Sequence, residues 1–442
     1  MSTIPPVDLS RQYQVISEEA NHAVLEILRS GRYIGGEAVS ELEQQFALYH
    51  GVSDCVACNS GTDALYLALR ALGIQAGDEV ITSTFSFIAT AEAINLVGAV
   101  PVFVDIDINT FNLDVALLEK ALTPQTKAII PVHLFGQSVN MSEVVNFARS
   151  HNLLVIEDCA QATGAEWHGQ KVGSIGDIGC FSFFPTKNLG GCGDGGAITT
   201  NNPELAAQIR MIKEHGSKER YLHEVIGVNS RLDAIQAVIL QIKLKYLDFW
   251  NNQRIEIAQR YRELLQPLPN ITLPTALAGG KHVWNQYTIL TENRDQIRAA
   301  LQEKDVLSMV YYPIPLHLQP VYQYLGYKKG DLPPVLDIEE MGKNGEENLR
   351  KGLLNFLQLI EKNWGIKPII YSGRTFYLSY IENYFSNYPL WIAAYSGENR
   401  VLNIQWKFHQ FTEQLNIKGI EGAVDGNYFN GNKNNLKRLI PN

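Results

Sequence analysis

Residues 181–191 of the 442-residue chain read FSFFPTKNLGG, and CGDGG follows at residues 192–196. A short apolar stretch with one serine, Ser182, therefore leads into Lys187, after which glycines are frequent. This is a poor place for a purely structural cation, because the apolar residues around it offer no counter-charge. A lysine with such neighbours can lose its proton and act as a nucleophilic amine, for example in a Schiff base with a carbonyl cofactor. A solvated surface lysine is the alternative interpretation.

The segments upstream of this stretch alternate between strand-like and helix-like patterns. Apolar, β-rich runs predict strands at 55–58, 79–82, 100–104, 128–132 and 153–157, and periodic runs predict helices at 62–72, 89–97, 115–122 and 141–150. Strict alternation predicts βαβ units and a mostly parallel sheet, whose active site lies at the carboxyl ends of the strands. We therefore expect the chemistry to follow the strands directly.

Polar residues mark three of the predicted strand ends, and the first is residues 59–65, which read NSGTDAL. Backbone N–H groups and the helix dipole would suit a phosphate there, with a hydroxyl from Ser60 or Thr62, although an ordinary helix N-cap is the alternative. The second strand ends in Glu157 and Asp158. A buried carboxylate needs a partner, and the protonated ring nitrogen of a cofactor is one candidate. The third strand end is the opening stretch itself.

The composition sets limits on function and location. With a net charge of −9, the chain as a whole is not expected to attract nucleic acid or an anionic membrane. Five scattered cysteines are typical of reduced thiols, and the N-terminus shows no secretory signal, so we expect a cytoplasmic protein. Cys55 and Cys58 form a C-x-x-C pair, but no second pair accompanies them and they lie in a predicted buried strand. We therefore expect no metal site.

Four motifs together resemble the DegT-type sugar aminotransferases, which are fold-type-I enzymes dependent on pyridoxal 5'-phosphate (PLP). The motifs are residues 59–65, 157–162 (EDCAQA), 181–183 with Lys187, and 227–233 (GVNSRLD), and the resemblance covers about residues 6–333. It implies a PLP-binding large domain with a mostly parallel central sheet at 1–240, whose N-terminal helix packs on a small, truncated α+β domain at 241–333.

The resemblance also assigns the residues around the cofactor ring. Lys187 would form the internal aldimine, Asp158 would pair with the pyridine nitrogen, and Gln161 would contact the phenolic oxygen of the ring. Phe87, in residues 84–90 (TFSFIAT), matches the aromatic residue that stacks on the ring. Because some relatives with histidine in place of this lysine are dehydratases, Lys187 favours amino transfer.

The same resemblance assigns the cofactor phosphate and the substrates. Gly61, Thr62 and Ser182 would bind the phosphate, and Asn229 would reach it from the neighbouring subunit of a homodimer. The implied substrates are a keto-sugar linked to a nucleoside diphosphate and glutamate as the amino donor. Arg32 lies in a segment that borders the sugar site in the family, where it could meet the diphosphate. An exposed surface arginine is the alternative.

After Pro333 the family's closing helices have no counterpart, and a new alternation begins. Apolar runs predict strands at 334–339, 368–371, 390–394 and 406–411, and helices at 346–364 and 374–385. Asp337 and Glu339 are two positions apart on the first strand, so they share a face. A carboxylate pair there would suit hydrolysis of a glycosidic bond.

This tail resembles the second half of the N-acetylmuramidases of glycoside hydrolase family 25, whose fold is an irregular α/β barrel. The matching motifs are residues 336–339 (LDIE), 370–372 (IYS), 391–395 (WIAAY) and 423–429 (AVDGNYF). The resemblance implies a partial barrel at 334–442 with Glu339 as general acid and Asp337 assisting. Trp391, Tyr395 and Asp425 would line a sugar groove. Two strand-end carboxylates without a catalytic role are the alternative.

The first half of the muramidase family has no counterpart upstream, because that region matches the aminotransferases. We therefore expect two truncated proteins joined at about residues 332–335, by recombination or by construction. The sequence predicts an aminotransferase with a partial muramidase-like tail. The alternatives are a muramidase that contacts peptidoglycan through its tail and uses the larger part as a scaffold, and a non-catalytic binder of nucleotide sugars or cell wall.

Overall fold

The computed structural model describes residues 3–328 and, beyond them, residues 336–337, 353–354, 357–358, 370–373, 385, 388, 390–393, 408–415 and 424–429. The chain divides into two compact units, Met1–Gln319 and Pro320–Asn442. Within the first unit, the helices are α1 (Leu9–Ser30), α2 (Glu37–His50), α3 (Gly61–Ala71), α4 (Ala89–Leu96), α5 (Leu118–Ala121), α6 (Met141–Ser150), α7 (Pro203–Lys213), α8 (Ala234–Leu265) and α9 (Arg294–Gln302).

The strands of the first unit are β1 (Asp54–Cys58), β2 (Glu79–Ser83), β3 (Val100–Val104), β4 (Thr126–Ile130), β5 (Leu154–Asp158), β6 (Glu166–Trp167), β7 (Gln170–Lys171), β8 (Ile178–Ser182), β9 (Gly196–Thr200), β10 (Ser217–Glu219), β11 (Leu222–His223) and β12 (Gly280–Lys281). Seven of them form one sheet in the order β1-β9-β8-β5-β4-β2-β3. Strands β3, β2, β4, β5 and β8 are parallel in succession, and β9 runs antiparallel to both β8 and β1.

This topology confirms the predicted mostly parallel sheet and determines where a site can form. Because β1 and β8 are both antiparallel to β9, they point the same way as β5. The carboxyl ends of these three strands therefore lie along one edge of the sheet. The three segments marked in the sequence follow those ends, as expected for an open α/β sheet.

Apolar side chains cover both faces of the sheet, as parallel sheets require. In β1, Val56 and Cys58 belong to the core cluster that includes residues of α3 and α7, whereas Cys55 and Ala57 belong to the cluster that includes residues of α2 and α8. Side chains alternate between the faces of a strand. Cys55 and Cys58, three positions apart, therefore point to opposite faces and cannot bind the same ion.

The strands and helices predicted between residues 55 and 157 are confirmed within one to three residues, except at 115–122. Residues 115–122 form a 3₁₀ turn, Val115–Leu117, and only one turn of α5, rather than a single helix. Helix α2 has no counterpart among the predicted elements. It begins after Gly36 and ends just before Gly51, which adopts a left-handed backbone conformation with φ of 69°.

The second unit contains β13 (Leu336–Asp337), β14 (Ile370–Gly373), β15 (Leu390–Ala393), β16 (Phe408–Leu415) and β17 (Val424–Phe429). They form one sheet in chain order, in which the first four strands are parallel and β17 is antiparallel to β16. The strands predicted at 368–371, 390–394 and 406–411 overlap β14, β15 and β16, whereas of the strand predicted at 334–339 only Leu336–Asp337 lie within the described residues. The predicted helices at 346–364 and 374–385 fall almost entirely outside the described residues. Among the helices that the structure describes, none is long and apolar enough to span a membrane.

Candidate active site

The amino end of helix α3 lies directly beside the end of strand β8. The hydroxyl of Ser60 caps the helix by accepting a hydrogen bond of 3.0 Å from the N–H of Asp63. Ser60 is therefore an ordinary N-cap, but the N–H groups of Gly61 and Thr62 have no acceptor within the helix. They are available to an anion at the positive end of the helix dipole.

Gly61 and Ser182 are in direct contact at this helix terminus. A Cβ atom added to Gly61 would lie 2.6 Å from the Cβ of Ser182, so only glycine fits here. Ser182 ends β8, and its hydroxyl accepts a hydrogen bond of 3.3 Å from the N–H of Phe184. The structure thus places Ser182 beside Gly61, at the helix start that carries the N–H groups of Gly61 and Thr62. We call this arrangement the Gly61–Ser182 cradle.

Strand β5 ends in two buried carboxylates with different surroundings. Glu157 accepts four hydrogen bonds of 2.7–3.0 Å, from the N–H groups of Gly173, Ile175 and Gly176 and from His133. Its bonding capacity is used within the protein. Within the described part of the chain, Asp158, which is 4% exposed, accepts one hydrogen bond on each oxygen.

The two donors to Asp158 are the hydroxyl of Thr90, at 2.8 Å from Oδ2, and the N–H of Ala160, at 3.1 Å from Oδ1. Burial raises the pKa of Asp158, while these two hydrogen bonds and the nearby Lys187 act in the opposite direction. A cation beside the carboxylate would favour its charged form. Asp158 therefore keeps acceptor capacity for a positively charged partner.

Lys187 follows β8 in a tight turn, in which its N–H donates to the carbonyl of Phe184 at 2.9 Å. Its side chain is half-buried. Burial lowers the pKa of Lys187, and the charge of Asp158 acts in the opposite direction. A lower pKa makes the neutral, nucleophilic amine more accessible near neutral pH.

Gln161 is held on both sides of its amide group. Oε1 accepts a hydrogen bond of 2.7 Å from the N–H of Phe135, and Nε2 donates one of 3.0 Å to the hydroxyl of Tyr312. The second N–H of the amide has no contact among these bonds, so it can donate to an oxygen in the site. Burial, the main cause, raises the pKa of Tyr312 to about 12. The phenol therefore stays protonated.

Phe87 stands just before α4 with 57% of its surface exposed, so its ring is open to a planar ligand. The sequence reasoning missed Thr90 and Tyr312, which hold Asp158 and Gln161. Thr90 belongs to the same segment, 84–90, as Phe87 and follows it by three positions, about one helical turn. This spacing is the feature of the sequence that could have pointed to Thr90.

His133, Glu157 and Cys159 place their ligand atoms within 4.8 Å of one another. The Nδ1 of His133 accepts a hydrogen bond of 3.1 Å from the N–H of Val139, so the proton lies on Nε2 and is donated to Glu157. The imidazole of His133 and the carboxylate of Glu157 are thus already hydrogen-bonded within the protein. The effect is to fix the end of β5, which carries Asp158.

The 227–233 motif is fastened to the start of α3. Ser230 donates a hydrogen bond of 2.7 Å to Asp63 and accepts one of 3.2 Å from the N–H of Asn59. Its neighbour Asn229 is exposed, as is Arg32. The structure therefore places Asn229 at the surface, next in sequence to a residue that contacts the 59–65 motif.

The residues proposed for the tail are only partly described. Glu339 and Tyr395 lie outside the described residues. The backbones of Asp337, Trp391 and Asp425 lie in β13, β15 and β17, and Asp337 pairs with Tyr371 of β14.

Comparisons with known proteins give two family matches. The DegT/DnrJ/EryC1/StrS aminotransferase family matches residues 14–340, and the glycosyl hydrolases family 25 matches residues 319–420. Both resemblances seen in the sequence are confirmed.

Individual relatives match the first three quarters of the chain. It is 49% identical over 332 residues to the pleiotropic regulatory protein of Geobacillus stearothermophilus, covering 75% of this chain and 89% of the relative. It is 48% identical over 323 residues to the UDP-N-acetyl-3-dehydro-alpha-D-glucosamine 3-aminotransferase of Acidithiobacillus ferrooxidans, covering 73% and 87%. The crystal structure of DesV from Streptomyces venezuelae in complex with a ketimine intermediate superposes with a TM-score of 0.73 at 42% identity, covering 75% of this chain and 89% of DesV.

Proposed function

Because the chain belongs to the DegT/DnrJ/EryC1/StrS aminotransferase family, we propose that it transfers an amino group from glutamate to the ketone of a nucleoside-diphosphate-linked sugar. The family depends on PLP, and solved structures that match the chain include aminotransferases with bound pyridoxamine phosphate. The observation that carries the proposal is the convergence of Lys187, Asp158 and the Gly61–Ser182 cradle at one edge of the sheet.

The chemistry of these residues fits PLP. The Gly61–Ser182 cradle, with the free N–H groups at the start of α3, would hold the phosphate. Asp158 would hold the ring nitrogen and Gln161 the phenolic oxygen, while Phe87 would cover the ring. Lys187 would hold the aldehyde carbon through its amine. When bound, PLP carries the amino group between substrates and delocalises the charge left by proton loss.

The protein's own residues supply the acid–base chemistry. The carboxylate of Asp158 would favour the protonated form of a ring nitrogen held beside it. Burial, the largest influence, raises the pKa of Asp158, while the hydrogen bonds from Thr90 and Ala160 act in the opposite direction. The amine of Lys187, with its lowered pKa, can take a proton from one carbon and return it to another. The amide of Gln161 is kept in one orientation by Phe135 and Tyr312.

The sugar nucleotide is supported by the names of the relatives. The Acidithiobacillus ferrooxidans relative is named for a UDP-linked 3-keto sugar, and another, from Streptomyces venezuelae at 42% identity, is named as a dTDP-amino-sugar transaminase. Exposed Arg32 is a candidate contact for the diphosphate, because its guanidinium can bind phosphate oxygens in pairs.

We also propose a cytoplasmic homodimer in which Asn229 completes the neighbour's phosphate site. Tyr221, Leu222 and Ile226, just before Asn229, are 55–84% exposed, and such apolar patches are typical of interfaces. The division into a large domain at 1–240, a small domain at 241–333 and a tail at 334–442 is likewise a proposal, as is the origin of the chain by joining two truncated proteins.

The experiment that tests the function begins with the absorbance spectrum of the purified chain after loading with PLP. We expect a yellow protein whose visible absorbance is lost on addition of glutamate, as the cofactor accepts the amino group. Lys187→Ala should lack both the visible band and its quenching by borohydride. Amination of a UDP-linked 3-keto sugar, followed by mass spectrometry, identifies the acceptor. An identical spectrum for Lys187→Ala and the wild type contradicts the role of Lys187.

The match to glycosyl hydrolases family 25 over residues 319–420 favours a second candidate function, hydrolysis of peptidoglycan by the tail. Glu339 would act as general acid and Asp337 would assist it. A cell-wall turbidity assay tests this function. Lysis that is abolished by Glu339→Gln but kept in Lys187→Ala would assign it to the tail, and the absence of lysis by the full chain would reject it.

A further inference from the structure

We propose that Ser86 and Thr90 form a hydrogen-bond relay that positions Asp158 against the ring nitrogen of the cofactor, with Thr90 as the positioning residue. The Thr90 hydroxyl lies 2.8 Å from Oδ2 of Asp158, and the Ser86 hydroxyl lies 3.1 Å from that of Thr90. All three side chains are buried, at 1–5% exposure. The inference rests on the proposed use of PLP.

The direction of each hydrogen bond in the relay follows from the chemistry of the groups. A carboxylate has no proton to give, so Thr90 must donate to Asp158. A hydroxyl has one proton, and that of Thr90 is then used. Ser86 must therefore donate to the oxygen of Thr90, which leaves the Ser86–Thr90–Asp158 chain with a single polarity. Hydrogen bonds in such a chain strengthen one another.

The relay also explains why two functions share one turn. Ser86 and Thr90 flank Phe87, and Thr90 lies in the first turn of α4. The segment that would place the Phe87 ring on the cofactor therefore also holds Asp158, the carboxylate proposed to face the ring nitrogen. Because the bond from Thr90 to Asp158 joins residues 68 positions apart, it ties α4 to the end of β5.

Binding of PLP to the apoprotein tests the relay without relying on activity. Thr90→Val keeps the shape of the side chain but removes the donor, and we expect PLP affinity to fall about 10-fold, the effect of losing a hydrogen bond to a charged group. Thr90→Ser should restore most of the affinity. Ser86→Ala should weaken binding about 3-fold, since it removes a neutral bond. If Thr90→Val does not fold, the PLP affinity of Ser86→Ala tests the relay: an unchanged affinity would overturn it.

Thr82→Val is the matched control. Thr82 is also a buried threonine, on β2, but its hydroxyl donates to the carbonyl of Ile130 at 2.9 Å. This variant should lose a similar amount of thermal stability and keep the wild-type PLP affinity. Equal weakening of PLP binding by Thr82→Val and Thr90→Val would overturn the relay.

A double-mutant cycle shows whether Thr90 acts through Asp158. We expect Asp158→Asn to weaken PLP binding, and Thr90→Val to add almost nothing in the Asp158→Asn background. Additive losses would overturn the inference while leaving the proposed function intact. A wild-type apoprotein that binds no PLP would overturn the proposed function and the relay together.

Discussion

Glu157 and Asp158 are adjacent in sequence, yet their surroundings give them different roles. Successive side chains of a strand point to opposite faces, so the two carboxylates meet different neighbours. The backbone turn at 173–176 and His133 enclose Glu157, whereas Asp158 faces Lys187 and Thr90. Glu157 therefore stabilises the local fold, whereas Asp158 can contact a group bound in the site.

We expect Glu157→Gln to lower the free energy of unfolding by about 3 kcal/mol, because the amide places its own N–H groups against donors in a buried site. Burial raises the pKa of Glu157, but the hydrogen bonds from His133 and from the N–H groups of Gly176 and Gly173 outweigh it, so the pKa is lowered. The carboxylate then stabilises the fold fully above its ordinary pKa, and this contribution declines as the pH falls through the lowered value.

Urea unfolding of wild type and Glu157→Gln across pH measures this effect. The difference between the two proteins should be largest near neutral pH and should shrink under acidic conditions. Glu119→Gln is the control, because Glu119 is 72% exposed in its contact with His151 and should change stability by less than about 1 kcal/mol. A pH-independent difference for Glu157→Gln would contradict the assigned ionisation.

The sequence predicted Lys187, Asp158, Gly61 and Ser182 as neighbours because residues that follow parallel strands meet at one edge. It did not predict the residues that hold them. Tyr312 contacts Gln161 across 151 positions of sequence, and no local pattern encodes such a contact. Only the folded chain shows it.

At the scale of elements, apolar residues follow helical spacing from about residue 235 to residue 264, which predicts a helix there. Helix α8 forms Ala234–Leu265 in agreement with that spacing, which persists over many turns. The 115–122 segment was predicted as one helix but is a 3₁₀ turn followed by a short helix. Apolar spacing over two turns does not distinguish i→i+3 from i→i+4 hydrogen bonding. Long elements are therefore the more predictable ones.

Helix α8 also holds the loop that carries Lys187. The side chain of Gln236 accepts a hydrogen bond of 2.8 Å from the N–H of Cys192, and Lys243 donates one of 2.6 Å to the carbonyl of Gly190. We expect Gln236→Leu to speed hydrogen exchange at residues 190–193 about 5-fold, for a bond worth about 1 kcal/mol. Mass spectrometry of the exchanged peptides measures this change.

Gln241→Leu provides a control on the same helix. Gln241 is also half-buried, but its amide donates to the carbonyl of Ala38 at 2.6 Å, away from the lysine loop. This variant should leave exchange at residues 190–193 at the wild-type rate. Equal acceleration by both variants would mean that α8 as a whole was loosened.

At the scale of the whole molecule, the two family matches share residues 319–340, which include the predicted junction at 332–335. The sequence predicts a junction here because both sides carry motifs of known families, and the junction itself stays a prediction. It could not show how a site is completed, since a motif does not state which subunit its residue serves. For Asn229, the open question is whether it contributes to the site of its own subunit or to that of the neighbouring subunit.

A complementation experiment with two inactive variants, Lys187→Ala and Asn229→Ala, shows which subunit Asn229 serves. In a dimer of Lys187→Ala and Asn229→Ala subunits, a site that combines Lys187 of one subunit with Asn229 of the other is intact once per dimer, if Asn229 serves the neighbour. Random reassociation after mild denaturation should then restore about one quarter of the wild-type activity, because half of the dimers are mixed and each has one working site. Mixing Lys187→Ala with Asp158→Asn is the control: both residues serve the same subunit, so no intact site forms. If the Asn229 mixture stays as inactive as this control, Asn229 acts within its own subunit.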